Sequence, residues 1–203
     1  MILNLRGELS MKKVIFLVLT LVISIGIVGC AKGNENTNES AMAAYSRFLS
    51  GDRALLDEKW SDGIPDLQDT EIKYEYTYLD LDGDGVVELI VQCVDDPGTY
   101  NAVFHFDDEQ IFCWQSDMVE QICRDYPLQN GMMVTQYDYN GTQSYKLFRY
   151  ESTGEKEEIS QLFVGDDQYY TIDGKEVDKE EFDKQLNSLI TELVVKRTEW
   201  KEI

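Results

Sequence analysis

The chain is predicted to fold as an α+β domain, in which a twisted antiparallel β-sheet carries a helix from each end of the chain. Apolar and polar residues alternate with a period of two over most of residues 71–172, whereas apolar positions near both chain ends recur with helical spacing. Short turn signals such as Asn140-Gly141 separate the alternating runs, which favours hairpin-linked neighbours. We therefore expect about seven or eight strands in a meander-like order.

Each predicted element has its own signal in the sequence. Tyr45 and Phe48 share one helical face, and Gly51 is well placed to end that N-terminal helix. Asp178 followed by Glu181 resembles an acidic capping box, and the apolar face after it predicts a C-terminal helix that covers the sheet. The alternating runs place strands at residues 74–78, 87–91, 100–106, 111–114, 132–139, 144–150, 159–164 and 169–172.

The N-terminal segment has the organisation of an export signal. Lys12 and Lys13 form a basic region, residues 14–28 are predominantly apolar and carry no charge, and the segment ends on Gly29-Cys30. This ending resembles the lipobox of bacterial lipoproteins, in which the cysteine thiol is acylated and becomes the N-terminus of the mature protein. The alternatives are a plain secretory signal and a short membrane anchor, but the apolar run is shorter than the roughly 20 residues of a spanning helix.

These signals predict the organisation of the chain. Residues 1–29 form the signal peptide, with Met11 as the expected true start because a signal's charged end normally begins the chain. Cys30 is the lipidation site, and the polar, unpatterned residues 30–40 are expected to be a flexible tether. Residues 41–203 are then a single extracytoplasmic domain, anchored to the outer face of the cell membrane through the lipid on Cys30.

The net charge and the cysteine and histidine content restrict the ligands and metal sites that are expected. The formal net charge of −21 opposes binding to nucleic acid and favours divalent cations or basic partners. Cys93 and Cys113 fall in alternating runs and are expected to be free core residues, although a Cys113–Cys123 disulfide stays open. With His105 as the single histidine, a zinc site of the usual cysteine and histidine type is not expected.

The sharpest motif is the acidic stretch DLDGDGVVE at residues 80–88. Carboxylates at alternate positions of a tight loop can converge on one point, and Ca²⁺ needs six to eight oxygen ligands. Asp80, Asp82 and Asp84 would supply side-chain oxygens and Val86 its carbonyl. Glu88 would close the site directly or through water. The sequence therefore predicts one weak calcium site, and the alternative is an acidic turn that binds no metal.

The motif departs from a true EF-hand. Its twelfth position is Val91 in place of the bidentate glutamate, and the segments on both sides of the loop have the alternating pattern of strands. The spacing is closer to the calcium loops between strands of integrin-type β-propellers, but the chain shows no propeller repeats. We therefore expect a strand-loop-strand site.

Several short motifs together resemble a family of uncharacterised lipoproteins from Gram-positive gut bacteria. The lipobox is one of them, and the acidic loop within residues 78–91 is another. Further similar segments are Ala44-Tyr45, residues 48–51, Tyr169-Tyr170 and residues 173–177. The resemblance implies a cell-surface lipoprotein with no assigned activity.

No catalytic motif is recognisable, and His105, which lies between two phenylalanines in a predicted strand, is expected to be structural. We expect a non-enzymatic, lipid-anchored domain that binds a partner or associates with the cell envelope. The alternative is a surface glycan hydrolase, or a carbohydrate-binding module that uses Trp114 with Tyr169 and Tyr170 as an aromatic platform. A subunit of an envelope complex is a third possibility.

Overall fold

The computed structural model describes residues 31–57, 59, 63–118 and 122–203. The predicted signal peptide and Cys30 lie outside the described residues. Two compact units divide the chain, Met1–Thr37 and Asn38–Ile203. Of the first unit, the structure describes residues 31–37, which are helical. The second unit contains every strand of the described chain.

The N-terminal helix α1 spans Ala31–Leu49 and is longer than predicted. Residues 31–40, expected to form a flexible tether, are therefore helical in the structure. Their composition gives no apolar face from which a helix could be predicted, but Asn38 bonds to the backbone of the acidic loop. Gly51 ends the helix as predicted, with a φ of 95° that favours glycine.

The first of two antiparallel sheets contains five strands. They are β1 (Tyr74–Leu79), β2 (Glu88–Cys93), β3 (Tyr100–Asp107), β4 (Gln110–Met118) and β11 (Lys201–Glu202). Their order is β11-β1-β2-β3-β4, so the end of the chain returns to pair with its first strand. The acidic loop connects β1 to β2.

The second sheet contains six strands in sequential order along the chain. They are β5 (Cys123–Pro127), β6 (Met133–Tyr139), β7 (Thr142–Tyr150), β8 (Lys156–Gly165), β9 (Tyr169–Ile172) and β10 (Lys175–Val177). The Asn140-Gly141 hairpin adopts positive φ at both residues, 52° and 84°, as a type I′ turn requires. A 3₁₀ turn at Asp166–Gln168 joins β8 to β9.

The α+β class with antiparallel strands is confirmed, but the strand count and the single sheet were wrong. The described residues contain eleven strands in two sheets. The three additional strands, β5, β10 and β11, are short and rich in charged residues, so they carry little alternating apolar signal. The single-sheet expectation failed because β2 is buried on both faces, which period-two alternation does not reveal.

Three apolar cores show how these elements are layered. Helix α1 packs on one face of the first sheet, where the Phe48 and Phe104 ring centroids lie 4.8 Å apart. The opposite face of that sheet packs against the second sheet, through Ile90, Val103 and Tyr150 among others. Burying large apolar side chains contributes about 1.5–3 kcal/mol each and holds the layers together.

The third core lies between the second sheet and the C-terminal helix α2, which spans Lys179–Leu186. Asp178 caps this helix as predicted, since its carboxylate accepts the Glu181 amide at 2.9 Å. The helix continues as a π-helical turn over Asn187–Thr191, and a 3₁₀ turn at Arg197–Glu199 precedes the last strand. Among the described residues, no helix is both long and apolar enough to span a membrane.

Candidate metal centre

The loop between β1 and β2 is folded around the side chain of Asp80. Its two carboxylate oxygens accept hydrogen bonds from the amides of Gly83 and Gly85, at 2.7 and 3.0 Å. Both glycines have positive φ, 81° and 90°. Glycine adopts this region without strain, so the glycines let the chain turn tightly enough for the aspartates to converge.

Asp82 and Asp84 complete a cluster with Asp80. The Asp84 amide donates to Asp82 Oδ1 at 3.1 Å, and the Val86 amide donates to Asp84 Oδ1 at 2.6 Å. One carboxylate oxygen from each aspartate lies within 4.8 Å of the others. The second oxygen of Asp82, Oδ2, is buried and has no hydrogen-bond partner among the described residues. A buried carboxylate oxygen without a partner is rare and calls for a missing ligand such as water or a cation.

Glu88 lies at the inner end of the loop, where its carboxylate is completely buried. Its Oε2 accepts the Leu81 amide at 2.7 Å, and its Oε1 lies 2.9 Å from Nδ1 of His105. The two residues meet because Leu89 pairs with Phe104 in the β2–β3 ladder, which brings Glu88 opposite His105 one step further along. One atom each from Asp82, Glu88 and His105 lies within 4.8 Å of the others.

Burial and mutual repulsion dominate the electrostatics of this cluster. Burial raises the pKa of Asp82, and the charges of Asp84 and Asp80 add to the effect. Burial also raises the pKa of Glu88 to about 7, although its hydrogen bonds to His105 and Leu81 oppose the shift. Burial lowers the pKa of His105, but the hydrogen bond and charge of Glu88 outweigh it and raise that pKa overall. The cluster therefore favours a positive charge placed among its carboxylates.

Two neighbouring segments hold the loop in place. The side chain of Asn38, on helix α1, donates to the carbonyl of Gly85 and accepts the amide of Val87, each at 3.0 Å. On the other side, Gly131 approaches so closely that a Cβ atom there would collide with the carbonyl oxygen of Asp80. Both layers that flank the loop thus restrict its conformation.

The structure brings the predicted ligands together in two overlapping groups that share Asp82. Glu88 is grouped with His105 rather than with Asp80 and Asp84. The Val86 side chain is buried in the core, so only its backbone is suited to a cation. Val91, at the EF-hand's twelfth position, is completely buried in the same core.

His105 is the site residue that sequence reasoning missed. It lies 17 residues from Glu88 and reaches it only through the β2–β3 register. Its flanking phenylalanines favoured a structural role, and the ring does stack on Trp114, with centroids 4.4 Å apart. The one available signal was a polar histidine within an otherwise apolar strand.

The aromatic residues considered for a carbohydrate platform do not share one surface. Trp114 stacks on His105 and Tyr150 between the two sheets. Tyr170 contacts Phe182 in the core beneath helix α2, and Tyr169 is exposed. The cysteines Cys93 and Cys113 are free, as expected from their strand positions.

Comparison with known proteins assigns the chain to no family. No family model matches the chain, and no curated protein or solved structure is significantly similar to it. The fold and the site together define an α+β domain with two packed antiparallel sheets and an acidic strand-loop-strand cluster. Two groups in that cluster, Asp80 with Asp82 and Asp84, and Asp82 with Glu88 and His105, could hold a metal ion.

Proposed function

We propose that this protein is a calcium-binding lipoprotein, held at the outer face of the cell membrane by a lipid on Cys30. Calcium would bind in the loop through carboxylate oxygens of Asp80, Asp82 and Asp84. The carbonyl of Val86 would add a ligand, and Glu88, whose carboxylate lies at the inner end of the loop, would close the site directly or through a water molecule. Water would complete the six to eight oxygens that the ion takes.

The observation that carries the calcium proposal is the buried, unpartnered Oδ2 of Asp82 beside two further aspartates. Like charges at such separations repel each other, most of all between the partly buried Asp80 and Asp82. A divalent cation removes this repulsion and supplies the missing partner. Of the three aspartates, Asp80 and Asp82 are partly buried and Asp84 is exposed, so the cluster is open to an ion from solvent.

Oxygen-only ligands on a loop with glycine hinges suit Ca²⁺ better than Mg²⁺. Mg²⁺ demands near-ideal octahedral geometry and gives up its water reluctantly, whereas Ca²⁺ tolerates irregular sets of ligands. With a single loop, the expected dissociation constant is about 10⁻⁴ to 10⁻³ M, as in extracellular modules. Calcium outside a cell reaches this range, so the proposed location and the proposed affinity agree.

The role at the membrane rests on the sequence. The lipobox-like ending at Cys30 and the resemblance to surface lipoproteins support anchoring, and the net charge of −21 opposes nucleic-acid partners. We propose a non-enzymatic domain whose partner is another envelope protein or a glycan. In this role, calcium stabilises the loop and the two strands that it joins.

The anchor is tested by replacing the lipidation site. Cys30→Ser should release the protein from membranes or leave it as an unprocessed precursor, whereas Cys93→Ser should fractionate like the unaltered protein. Detergent partitioning and the apparent mass on gels give the readout. A Cys30→Ser protein that stays processed and membrane-bound would refute the lipoprotein proposal.

The calcium site is tested by thermal unfolding of the full chain in detergent, with millimolar Ca²⁺ or with chelator. At 1 mM Ca²⁺, a dissociation constant of about 10⁻⁴ to 10⁻³ M stabilises the folded state by about 0.4–1.4 kcal/mol, so the site should raise the melting temperature by roughly one to a few degrees. Asp80→Asn combined with Asp84→Asn should abolish the shift. An equal shift in that double variant would refute the site.

A further inference from the structure

We propose that Asp82, Glu88 and His105 form a second cation site, which binds a divalent transition metal of the zinc class on the inner side of the aspartate loop. The proposal does not depend on calcium binding, because the loop group and this inner group have only Asp82 in common. The inner group adds a nitrogen ligand that the loop lacks.

The three side chains of the inner group lie close enough together to share one ion. One atom from each residue lies within 4.8 Å of the other two, and Glu88 Oε1 is 2.9 Å from His105 Nδ1. Glu88 is 0% exposed and His105 is 7% exposed, so neither side chain is solvated at the surface. Asp82 Oδ2 is buried without a partner among the described residues. A cation between the three would satisfy that oxygen.

The imidazole is held in position before any metal arrives. Its ring stacks on Trp114 with a centroid distance of 4.4 Å and an interplanar angle of 12°. The Trp114 ring in turn stacks on Tyr150, which is completely buried in the core between the sheets. Fixed ligands bind metals more tightly because little ordering remains to be done on binding.

The donor set decides the class of metal. One imidazole nitrogen and two carboxylate oxygens suit a borderline ion such as Zn²⁺, which commonly takes three protein ligands and leaves one position open. Ca²⁺ is a hard ion that takes oxygen ligands and gains little from imidazole. The cysteine and histidine zinc sites that the sequence argues against are a different class, since here carboxylates replace the thiolates.

The charge of the cluster accommodates two cations. Asp80, Asp82, Asp84 and Glu88 carry four negative charges when ionised, and one divalent ion offsets half of them. Arg149 lines the same surface recess as Asp80 and Asp82, but its guanidinium lies 3.6 Å from Glu157. A second divalent ion on the inner side, with Asp82 placed between the two ions, balances the remaining charge.

Two recesses border the inner group, one beside Asp82 and one beside His105. A recess of about 280 Å³ is lined by Asp80, Asp82 and Gly131 on the loop side. A separate cavity of about 370 Å³ is lined by His105 and Trp114. Each recess is large enough to hold water beside one ligand of the group.

The chain offers a direct test because His105 is its only histidine. We would purify the full chain in detergent without a histidine tag, label its histidine with ¹⁵N and record the two ring-nitrogen resonances. One equivalent of Zn²⁺ should shift one ring nitrogen to the range of a metal-bound imidazole, in slow exchange. Unchanged resonances at several equivalents would overturn the proposal, and this result needs no variant.

Variants then test the other two ligands. Co²⁺ titration followed by visible absorption should show a band in the unaltered protein that Zn²⁺ displaces. His105→Gln and Glu88→Gln should weaken Co²⁺ binding by more than about 100-fold, the upper range for losing only a supporting residue. Asp84→Asn, outside the inner group, is the matched control and should retain the band. Equal Co²⁺ affinity in Glu88→Gln would overturn the proposed ligand set.

Calcium-induced thermal shifts, measured on the same samples, separate this inference from the proposed function. If the inner site alone is correct, Zn²⁺ moves the His105 resonance while Ca²⁺ shifts no melting temperature in any variant. If the loop site alone is correct, His105→Gln keeps its calcium-induced shift, which also shows that it folds, and Zn²⁺ leaves the His105 resonances unmoved. The first result supports the inference, and the second overturns it.

Discussion

Two buried polar clusters lie on the facing sides of the sheets, and they differ in whether their carboxylates are satisfied. In one cluster, Asp125 accepts Gln115 Nε2 at 2.8 Å and Thr135 Oγ1 at 2.6 Å, and Tyr150 donates to Gln115 at 2.6 Å. In the other, Asp82 keeps a buried oxygen without a partner among the described residues. Asp125 is buried and both of its oxygens are paired, whereas Asp82 is partly exposed and one of its oxygens is buried without a partner.

The difference separates a structural carboxylate from a candidate ligand. A buried acid whose oxygens are satisfied by protein donors fixes the packing of its surroundings and has no need of an ion. A carboxylate with a shielded, unpaired oxygen beside other acids makes the fold less stable, and the proposed cation would remove that cost. Residues kept at the expense of stability are the ones expected to serve function.

The largest expected effect lies in the satisfied cluster. Asp125→Ala leaves the Gln115 amide and the Thr135 hydroxyl buried without an acceptor, and should lower the free energy of unfolding by about 4 kcal/mol. Asp125→Asn, which keeps the shape and one acceptor oxygen, should lose less than half as much. Denaturant unfolding measures both variants. If Asp125→Ala unfolded like the unaltered protein, the cluster would not be structural.

The second effect is a pH dependence of the metal-free protein, which Glu88 should dominate. Burial raises its pKa from 4.5 to about 7 in the folded state. The folded state therefore binds more protons than the unfolded chain between these pH values, and the free energy of unfolding falls as the pH rises through them. The fall is roughly 3 kcal/mol if the full shift is expressed.

The raised pKa of His105 acts in the same direction, since its contribution is also lost as the pH rises. Asp82 and the Leu81 amide are the other groups that face Glu88. Urea unfolding between pH 4.5 and 8 with chelator measures the slope, and Glu88→Gln should flatten it. Stability that rises with pH over this range would contradict the assigned environment of Glu88.

A third prediction uses two glycines of similar backbone conformation. Gly131 has a φ of +78° and lies against the Asp80 carbonyl, whereas Gly174 has a φ of +74° with no atom within 4 Å of an added Cβ. Gly174→Ala should cost only the left-handed strain, about 1 kcal/mol. Gly131→Ala should cost about 1 kcal/mol more and should also weaken cation binding. Equal losses in thermal unfolding would show that the contact with the loop is unimportant.

The smallest effect has the opposite sign. Asp82→Asn removes one charge from the crowded loop, so the metal-free protein should become more stable, by about 1 kcal/mol. The same variant should gain little stability from Ca²⁺. Chemical denaturation with chelator and with Ca²⁺ measures both values. If the metal-free Asp82→Asn protein were clearly less stable than the unaltered chain, Asp82 would be a structural carboxylate like Asp125.

The sequence predicted the positions of strands in which apolar and polar residues alternate. β7 and β9, for example, lie close to their expected positions. It did not predict two packed sheets, since Tyr150 and Ile90 meet only after the chain has folded. Nor did it predict β11, whose two residues, Lys201 and Glu202, have no apolar character and depend on pairing with β1.

The candidate site also has one part that the sequence predicts and one part that it does not. The loop ligands Asp80, Asp82 and Asp84 are close in sequence, and their alternate spacing with glycines is enough to predict convergence. His105 joins them through the β2–β3 register, and the absence of a described partner for Asp82 Oδ2 depends on the folded surroundings of the loop. Local chemistry was therefore predictable, whereas contacts between strands distant in sequence were not.

The most direct test of the central claim is calorimetric titration of Ca²⁺ into the full, metal-free chain in detergent. We predict one calcium site with a dissociation constant of about 10⁻⁴ to 10⁻³ M, lost in Asp84→Asn and retained in Asp125→Asn. Absence of saturable heat at millimolar Ca²⁺, or the same binding curve in Asp84→Asn, would contradict a calcium site in the Asp80–Glu88 loop.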